Sequence, residues 1–217
     1  MVNRKEYIKT MIEPFHSKYL LPTKEFRCLS VLFAINESPD NSQSDIGDKT
    51  NLSSSMVNNY IKSFKHEDLI TVTGNTNRTQ NYYLTEKGRA VLSQSLLGYS
   101  AEIVQLYSAV KKEISHILTV FYEGGIRTVV LFGAAETAEI VHAAIKDTDL
   151  VVIGIVDSSK DKHGKPFNGL TIRKPEDIKK IKPDGVIITS FARQEEIYND
   201  LLNLVGDSIK IKKLSTL

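Results

Sequence analysis

Apolar residues recur at helical spacing in the first half of the chain and form continuous runs in the second half. After Thr23, apolar residues at positions 26, 29, 32 and 33 lie three or four apart, which predicts a buried helix. Ser42 is placed to cap a short second helix that holds Ile46. Residues 53–70 predict a third helix, and its inward face comprises Met56, Val57, Tyr60, Ile61 and Phe64. The spacing of these helices indicates a helix-turn-helix.

Two β-rich runs follow, "LITVTG" and "QNYYLT", and the polar loop "NTNRT" between them indicates a hairpin. A further helix begins in "TEKGRAVL". The order of three helices and a hairpin predicts a winged helix. Residues 70–92 resemble the wing and the closing LT-x-K-G segment of MarR-type winged-helix regulators, and residues 53–70 are similar to the recognition helix of regulators associated with extracellular-polysaccharide loci. These resemblances imply a domain that binds double-stranded DNA. Gly47 departs from the family, which usually has alanine there.

The third helix carries the candidate DNA contacts on its outward face. Serines near a helix start suit phosphates, and asparagines suit adenine edges. The candidates are Ser53, Ser54, Ser55, Asn58, Asn59 and Lys62, with Arg78 in the wing loop as a minor-groove or phosphate contact. The alternative is a solvated polar face without a ligand.

Residues 99–122 predict a longer helix with a heptad seam. The seam consists of Ile103, Tyr107, Val110, Ile114, Ile117 and Phe121. Either this stripe packs on its own domains, or it forms a short coiled coil between two subunits. We expect a homodimer, because two winged helices can then meet two half-sites.

From Arg127 onward, apolar strands alternate with helices. The strand segments are "TVVLFG", "LVVIGIVD", "GVIITS" and "IKIKKL". Continuous apolar strands separated by helices predict a parallel sheet covered on both faces. The expected fold class is therefore an α+β winged helix-turn-helix domain (1–98), a connecting or dimerisation helix (99–125) and an α/β Rossmann-like domain with a small parallel sheet (126–217).

The segment "VVLFGAAETAEIV" places a glycine turn between a strand and a helix. The start of a helix favours anions, and Gly133 allows a tight turn, whereas Ala135 and Ala138 replace the second and third glycines of G-x-G-x-x-G. Asp157 ends the next strand, 24 residues after Gly133, where a carboxylate can accept hydrogen bonds from a ribose. Two interpretations remain open: a nucleotide site, or a domain that keeps the fold and only packs.

Residues 131–190 also resemble the Rossmann-like domains of nucleotide-sugar dehydratases and sugar acyltransferases. The resemblance implies a nucleotide or nucleotide-sugar effector, and NAD(H) is a further candidate. The implied contacts are Gly133, Ala134, Ala135, Glu136 and Thr137 at the turn, Asp157 and Ser158 after the second strand, and Ser190 after the third.

Composition narrows the function classes. The formal net charge of +2 does not by itself indicate nucleic acid binding, but the region from Lys49 to Lys65 holds three lysines and no acid. The single cysteine and the lack of a long apolar run favour a cytoplasmic protein without a membrane span. The five histidines lack metal-ligand spacing, and no acid–base pair is apparent.

We therefore expect a ligand-responsive transcription regulator and no enzyme activity. Two alternatives remain. One is a nucleotide-dependent enzyme with an accessory winged helix. The other is a DNA-binding protein whose second domain only packs or dimerises.

Overall fold

The computed structural model describes residues 22–74 and 80–214. The chain divides into two compact units, Met1–Val104 and Gln105–Leu217, and hydrophobic cores lie within each of them. The predicted domain limits at residues 98 and 125 stay predictions.

Within residues 22–74 and 80–104, the N-terminal unit contains three helices, an antiparallel hairpin and the start of a fourth helix. They are α1 (Lys24–Glu37), α2 (Gln43–Thr50), α3 (Ser54–His66), β1 (Ile70–Thr73), β2 (Asn81–Leu84) and α4 (Glu86–Glu123). Ser42 caps α2 as predicted, and the carboxylate of Asp45 accepts the backbone N–H of Ser42 in return. The core includes Leu32, Ile46, Val57, Phe64 and Tyr82, all buried.

The closing segment after β2 is held by hydrogen bonds to the turn that precedes β1. The Thr85 hydroxyl donates to the Asp68 carbonyl at 2.7 Å and accepts the Gly88 N–H at 2.9 Å. The Thr85 N–H donates to the Leu69 carbonyl. The threonine thus joins the hairpin to the first turn of α4, which gives a physical reason for the LT-x-K-G pattern.

Gly47 lies where α2 meets the turn that leads into α3. A Cβ at this position would lie 2.6 Å from the Leu52 carbonyl oxygen, and the Leu52 N–H donates to the Gly47 carbonyl at 2.9 Å. A contact this short with a backbone atom forces a shift of the chain. The turn therefore requires the glycine that helix propensity disfavours by about 1 kcal/mol.

Helix α4 is a single helix of 38 residues, so the helix predicted to begin near residue 99 is the second part of one that starts at Glu86. Residues 101–109 are all exposed. The second half of the predicted seam, Ile114, Ile117 and Phe121, is buried in the core of the C-terminal unit. That half of the stripe packs within its own chain.

The C-terminal unit contains a six-stranded sheet of order β5-β6-β4-β3-β7-β8. The strands are β3 (Thr128–Phe132), β4 (Val151–Val156), β5 (Pro166–Phe167), β6 (Leu170–Arg173), β7 (Gly185–Ile188) and β8 (Lys210–Lys213). The helices are α5 (Glu136–Ile145), α6 (Ile178–Ile181) and α7 (Gln194–Val205). One face of the sheet packs against the end of α4 and against α5, and the other packs against α6 and α7.

The four strands predicted from the sequence, β3, β4, β7 and β8, are parallel as expected. The sheet as a whole is mixed, because the additional strand β5 pairs antiparallel with β6. Asn168 and Gly169 connect these strands with φ angles of 46° and 83°. Two central residues with positive φ match the tight turn that joins two hairpin strands, and Asn-Gly is the dipeptide that favours it. The other neighbouring pairs in the sheet are parallel.

We expect Gly47→Ala to lower the free energy of unfolding by about 1–3 kcal/mol, because the added methyl overpacks the turn. Gly98→Ala is the matched control, since nothing lies within 4 Å of a Cβ at this other helical glycine. The control is expected to stabilise the protein by about 1 kcal/mol. Urea unfolding followed by circular dichroism measures both, and equal stabilisation by the two variants would contradict the close contact at Gly47.

Candidate functional site

Helix α3 presents an exposed polar face opposite its buried residues. Val57, Ile61 and Phe64 point into the core. Ser55, Asn59 and Lys62 are exposed and are spaced four and three residues apart, so they share one side of the helix. The structure thus brings three of the predicted DNA contacts together.

The remaining predicted DNA contacts differ from this group. The Ser53 hydroxyl accepts the Met56 N–H at 3.3 Å and lies 3.0 Å from the Ser55 hydroxyl, so Ser53 is the N-cap of α3. Ser54 is exposed, and Asn58 is half-buried at the side of the helix. Arg78 lies outside the described residues. His66, which no pattern in the sequence marks as a DNA contact, is exposed at the end of α3.

The second candidate site lies at the carboxyl edge of the sheet, where β3 ends in the glycine turn. Gly133 has a φ of 106°, a conformation that side chains rarely adopt. A Cβ there would lie 2.8 Å from the Thr189 hydroxyl oxygen. That hydroxyl lies 2.8 Å from the carbonyl oxygens of both Phe132 and Gly133 and can donate to either. Thr189, which the sequence analysis did not select, therefore holds the turn against β7.

Helix α5 begins directly after this turn and has no side-chain cap. Ala135 occupies the N-cap position in an extended conformation, and the Ala138 N–H donates to its carbonyl at 2.8 Å. No side chain therefore caps the N–H groups of Glu136 and Thr137, the first two residues of α5. Glu136 is exposed in this first turn, and its negative charge opposes an anionic ligand. Thr137 is half-buried beside it.

Asp157 is buried at the end of β4, with 6% of its surface exposed. One carboxylate oxygen accepts the Ser159 N–H at 2.8 Å. The other accepts the Ala134 N–H at 2.7 Å and the Lys162 ammonium at 3.0 Å. The acid that was predicted to receive a ribose already binds donors of its own chain.

Burial acts to raise the pKa of Asp157. The hydrogen bonds from the backbone of Ser159 and Ala134 and from Lys162 outweigh burial, so the pKa lies below its usual range. Asp157 is therefore a carboxylate at neutral pH. The ammonium of Lys162 balances its charge.

The other predicted contacts lie around this edge. Ser158 is exposed after β4, and Ser190 is half-buried after β7, next to the exposed Phe191. The His163 ring N–H lies 2.7 Å from the Asp157 carbonyl oxygen, a position from which it can donate.

In residues 22–74 and 80–214, no group of three or more histidine, cysteine or acidic residues is placed to hold a metal ion. None of the helices in these ranges combines the length and apolar character that crossing a membrane requires.

Two family models match the chain, one before and one after the middle of α4. Residues 28–96 match the model described as winged helix-turn-helix, so the N-terminal unit contains a winged helix-turn-helix domain. Residues 125–212 match the model described as C2185-like, N-terminal. None of the curated proteins matches the sequence.

Several solved structures resemble parts of the chain. The transcriptional regulator MosR of M. tuberculosis is 16% identical over 48% of this chain and 72% of its own, with a TM-score of 0.35. BpsR of Bordetella bronchiseptica, whose DNA binding is regulated by 6-hydroxynicotinic acid, is 24% identical over 47% of this chain and 70% of its own, with a TM-score of 0.32. UDP-D-quinovosamine 4-dehydrogenase of Vibrio fischeri is 20% identical over 41% and 77%, with a TM-score of 0.34.

Proposed function

We propose that the protein is a DNA-binding transcription regulator whose C-terminal unit senses a nucleotide or nucleotide-sugar. The observation that carries the DNA-binding part is the exposed face of Ser55, Asn59 and Lys62 on α3. This face lies on the second helix of a helix-turn-helix, inside a segment that matches a winged helix-turn-helix family. In such domains the second helix enters the major groove.

The chemistry of the face suits DNA. Asn59 can form paired hydrogen bonds with an adenine edge, and Lys62 can bind a phosphate. Lys65 and His66 are exposed in the last turn of α3, and this helix contains no acidic residue. Arg78 in the wing remains a predicted phosphate or minor-groove contact.

We expect Asn59→Ala to relax sequence preference, with a loss of about 1–3 kcal/mol of discrimination at one base pair. Lys62→Ala is expected to reduce the slope of log affinity against log salt by about one unit. Gel-shift titration on a duplex selected from random sequences measures both. Asn203→Ala and Lys112→Ala change exposed residues of other helices and serve as controls. Operator binding that is unchanged in both α3 variants would overturn the proposal.

We further propose that the exposed part of α4 joins two copies of the chain. Ile103, Val104, Leu106 and Tyr107 are between 39% and 61% exposed, on a stretch of nine exposed helical residues. Such an apolar group on a helix is typical of a surface that another helix covers. A second copy is the simplest partner, because a twofold dimer presents two winged helices to two half-sites.

We expect the wild-type chain to be a dimer and Tyr107→Lys to be monomeric at micromolar concentration, because the charge enters the apolar face. Gln105→Lys places the same charge about 160° around the helix and is expected to leave the dimer intact. Sedimentation equilibrium separates these states. A monomeric wild type, or a dimeric Tyr107→Lys variant, would contradict the assignment of this face.

The proposed sensor site is the carboxyl edge at Gly133, Ala134, Ala135, Glu136, Thr137, Asp157, Ser158 and Ser190. Its support is the order of the strands. If the five parallel strands β3, β4, β6, β7 and β8 are numbered 1 to 5 along the chain, they lie across the sheet in the order 3-2-1-4-5, as in dinucleotide-binding sheets. Ligands of open α/β sheets bind outside the carboxyl ends of the strands where this order reverses, here between β3 and β7. NAD(H) and nucleotide-sugars are the proposed effectors, and the ligand acts by changing DNA affinity without being consumed.

A further inference from the structure

Lys162 lies at the proposed sensor site, although neither a glycine motif nor a strand end marks it in the sequence. It belongs to the short 3₁₀ turn Lys160–Lys162 that follows β4. Its ammonium bonds Asp157 at 3.0 Å, and its side chain is 32% exposed. The side chain is therefore held by an ion pair and is partly exposed to solvent.

The ammonium lies close to the backbone of the glycine turn. The Ala134 N–H and the Lys162 ammonium donate to the same oxygen of Asp157, at 2.7 and 3.0 Å, so the two nitrogens are no more than about 6 Å apart. Ala134 immediately precedes Ala135, the N-cap residue of α5, so the ammonium lies beside the turn that leads into this helix. A phosphate that binds at this turn would therefore approach the ammonium as well.

The ammonium also has unused hydrogen-bonding capacity. It carries three N–H donors, and the contact with Asp157 uses one of them. The positive charge of Lys162 also favours an anion here, because Glu136 places a negative charge in the first turn of α5. A phosphate at this turn requires a nearby cation to offset Glu136, and Lys162 provides one.

We propose that Lys162 is a ligand-binding residue of this site and that the ligand is a nucleoside diphosphate or a compound that contains one. A ribose hydroxyl donates to the carboxylate of Asp157, and a phosphate oxygen accepts from the ammonium of Lys162. This assignment rests on the proposed function of the C-terminal unit as a nucleotide sensor.

Calorimetry on the full chain tests the assignment with four probes: ADP, UDP, adenosine and uridine. We expect at least one diphosphate to bind more tightly than its nucleoside, and Lys162→Met to weaken binding of that diphosphate at least tenfold. The affinity of the nucleoside is expected to change less than twofold. Lys160→Met removes an exposed lysine of the same turn and is expected to bind like the wild type. Lys162→Arg keeps the charge and is expected to retain most of the affinity. Circular dichroism checks that each variant is folded.

Three outcomes would overturn the role of Lys162. Unchanged diphosphate binding in Lys162→Met would show that the ammonium does not contact the phosphate. Tighter binding in that variant would show that Lys162 only competes with the ligand for Asp157. Equal affinities of nucleoside and diphosphate for the wild type would leave the sensor proposal standing and exclude a phosphate contact. If none of the four probes binds the wild type, both the role of Lys162 and an adenine or uracil nucleotide as the effector are contradicted.

Discussion

Helix α4 contributes buried side chains to the cores of both compact units, so both units depend on one continuous helix. Leu92 near its start is buried in the winged-helix core, and Leu118 near its end is buried against the sheet. Between these anchors, residues 101–109 are exposed and include four large apolar side chains. Burial thus leaves only the middle of α4 available to a second copy of the chain. The heptad pattern of residues 103–121 alone would have suggested that the whole seam is available.

Helix α5 connects the glycine turn to α4 within the C-terminal unit. It starts beside Gly133. At its other end, the Ser115 hydroxyl of α4 lies 3.1 Å from the Ala144 carbonyl oxygen and 3.0 Å from the Lys111 carbonyl oxygen, and can donate to either. Just beyond α5, Asp147 pairs with Lys111 of α4 at 2.7 Å. We infer that a ligand at the turn would act on α4 through these contacts. A ligand that binds both states of α4 equally would change nothing, so regulation requires different affinities for two arrangements.

Much of the fold could be predicted from local patterns. Helical spacing and Ser42 located the helices of the winged domain, and the apolar runs located four strands. The short β5–β6 hairpin was missed, although Asn168-Gly169 signals it, because its strands of two and four residues are too short to show a period. The sequence marks Gly47 only as a departure from the family pattern, because its close approach to the Leu52 carbonyl exists only in the fold. The positions of Asp157 and Ser190 at one sheet edge followed from strand ends, whereas Lys162 and Thr189 could not be selected because only tertiary contacts give them a role.

Reciprocal linkage tests the central claim, that one chain binds DNA and a nucleotide and couples the two. If a nucleotide changes the affinity for a selected DNA duplex by some factor, DNA must change the affinity for the nucleotide by the same factor. Two pairs of dissociation constants are measured on the full chain. The first pair is that of the tightest-binding nucleotide, with and without saturating DNA duplex. The second pair is that of the DNA duplex, with and without saturating nucleotide. The account predicts two equal factors of about 5–150, typical of allosteric coupling. Dissociation constants that stay the same when the other ligand is added would contradict the account. The two domains would then share a chain without regulating each other.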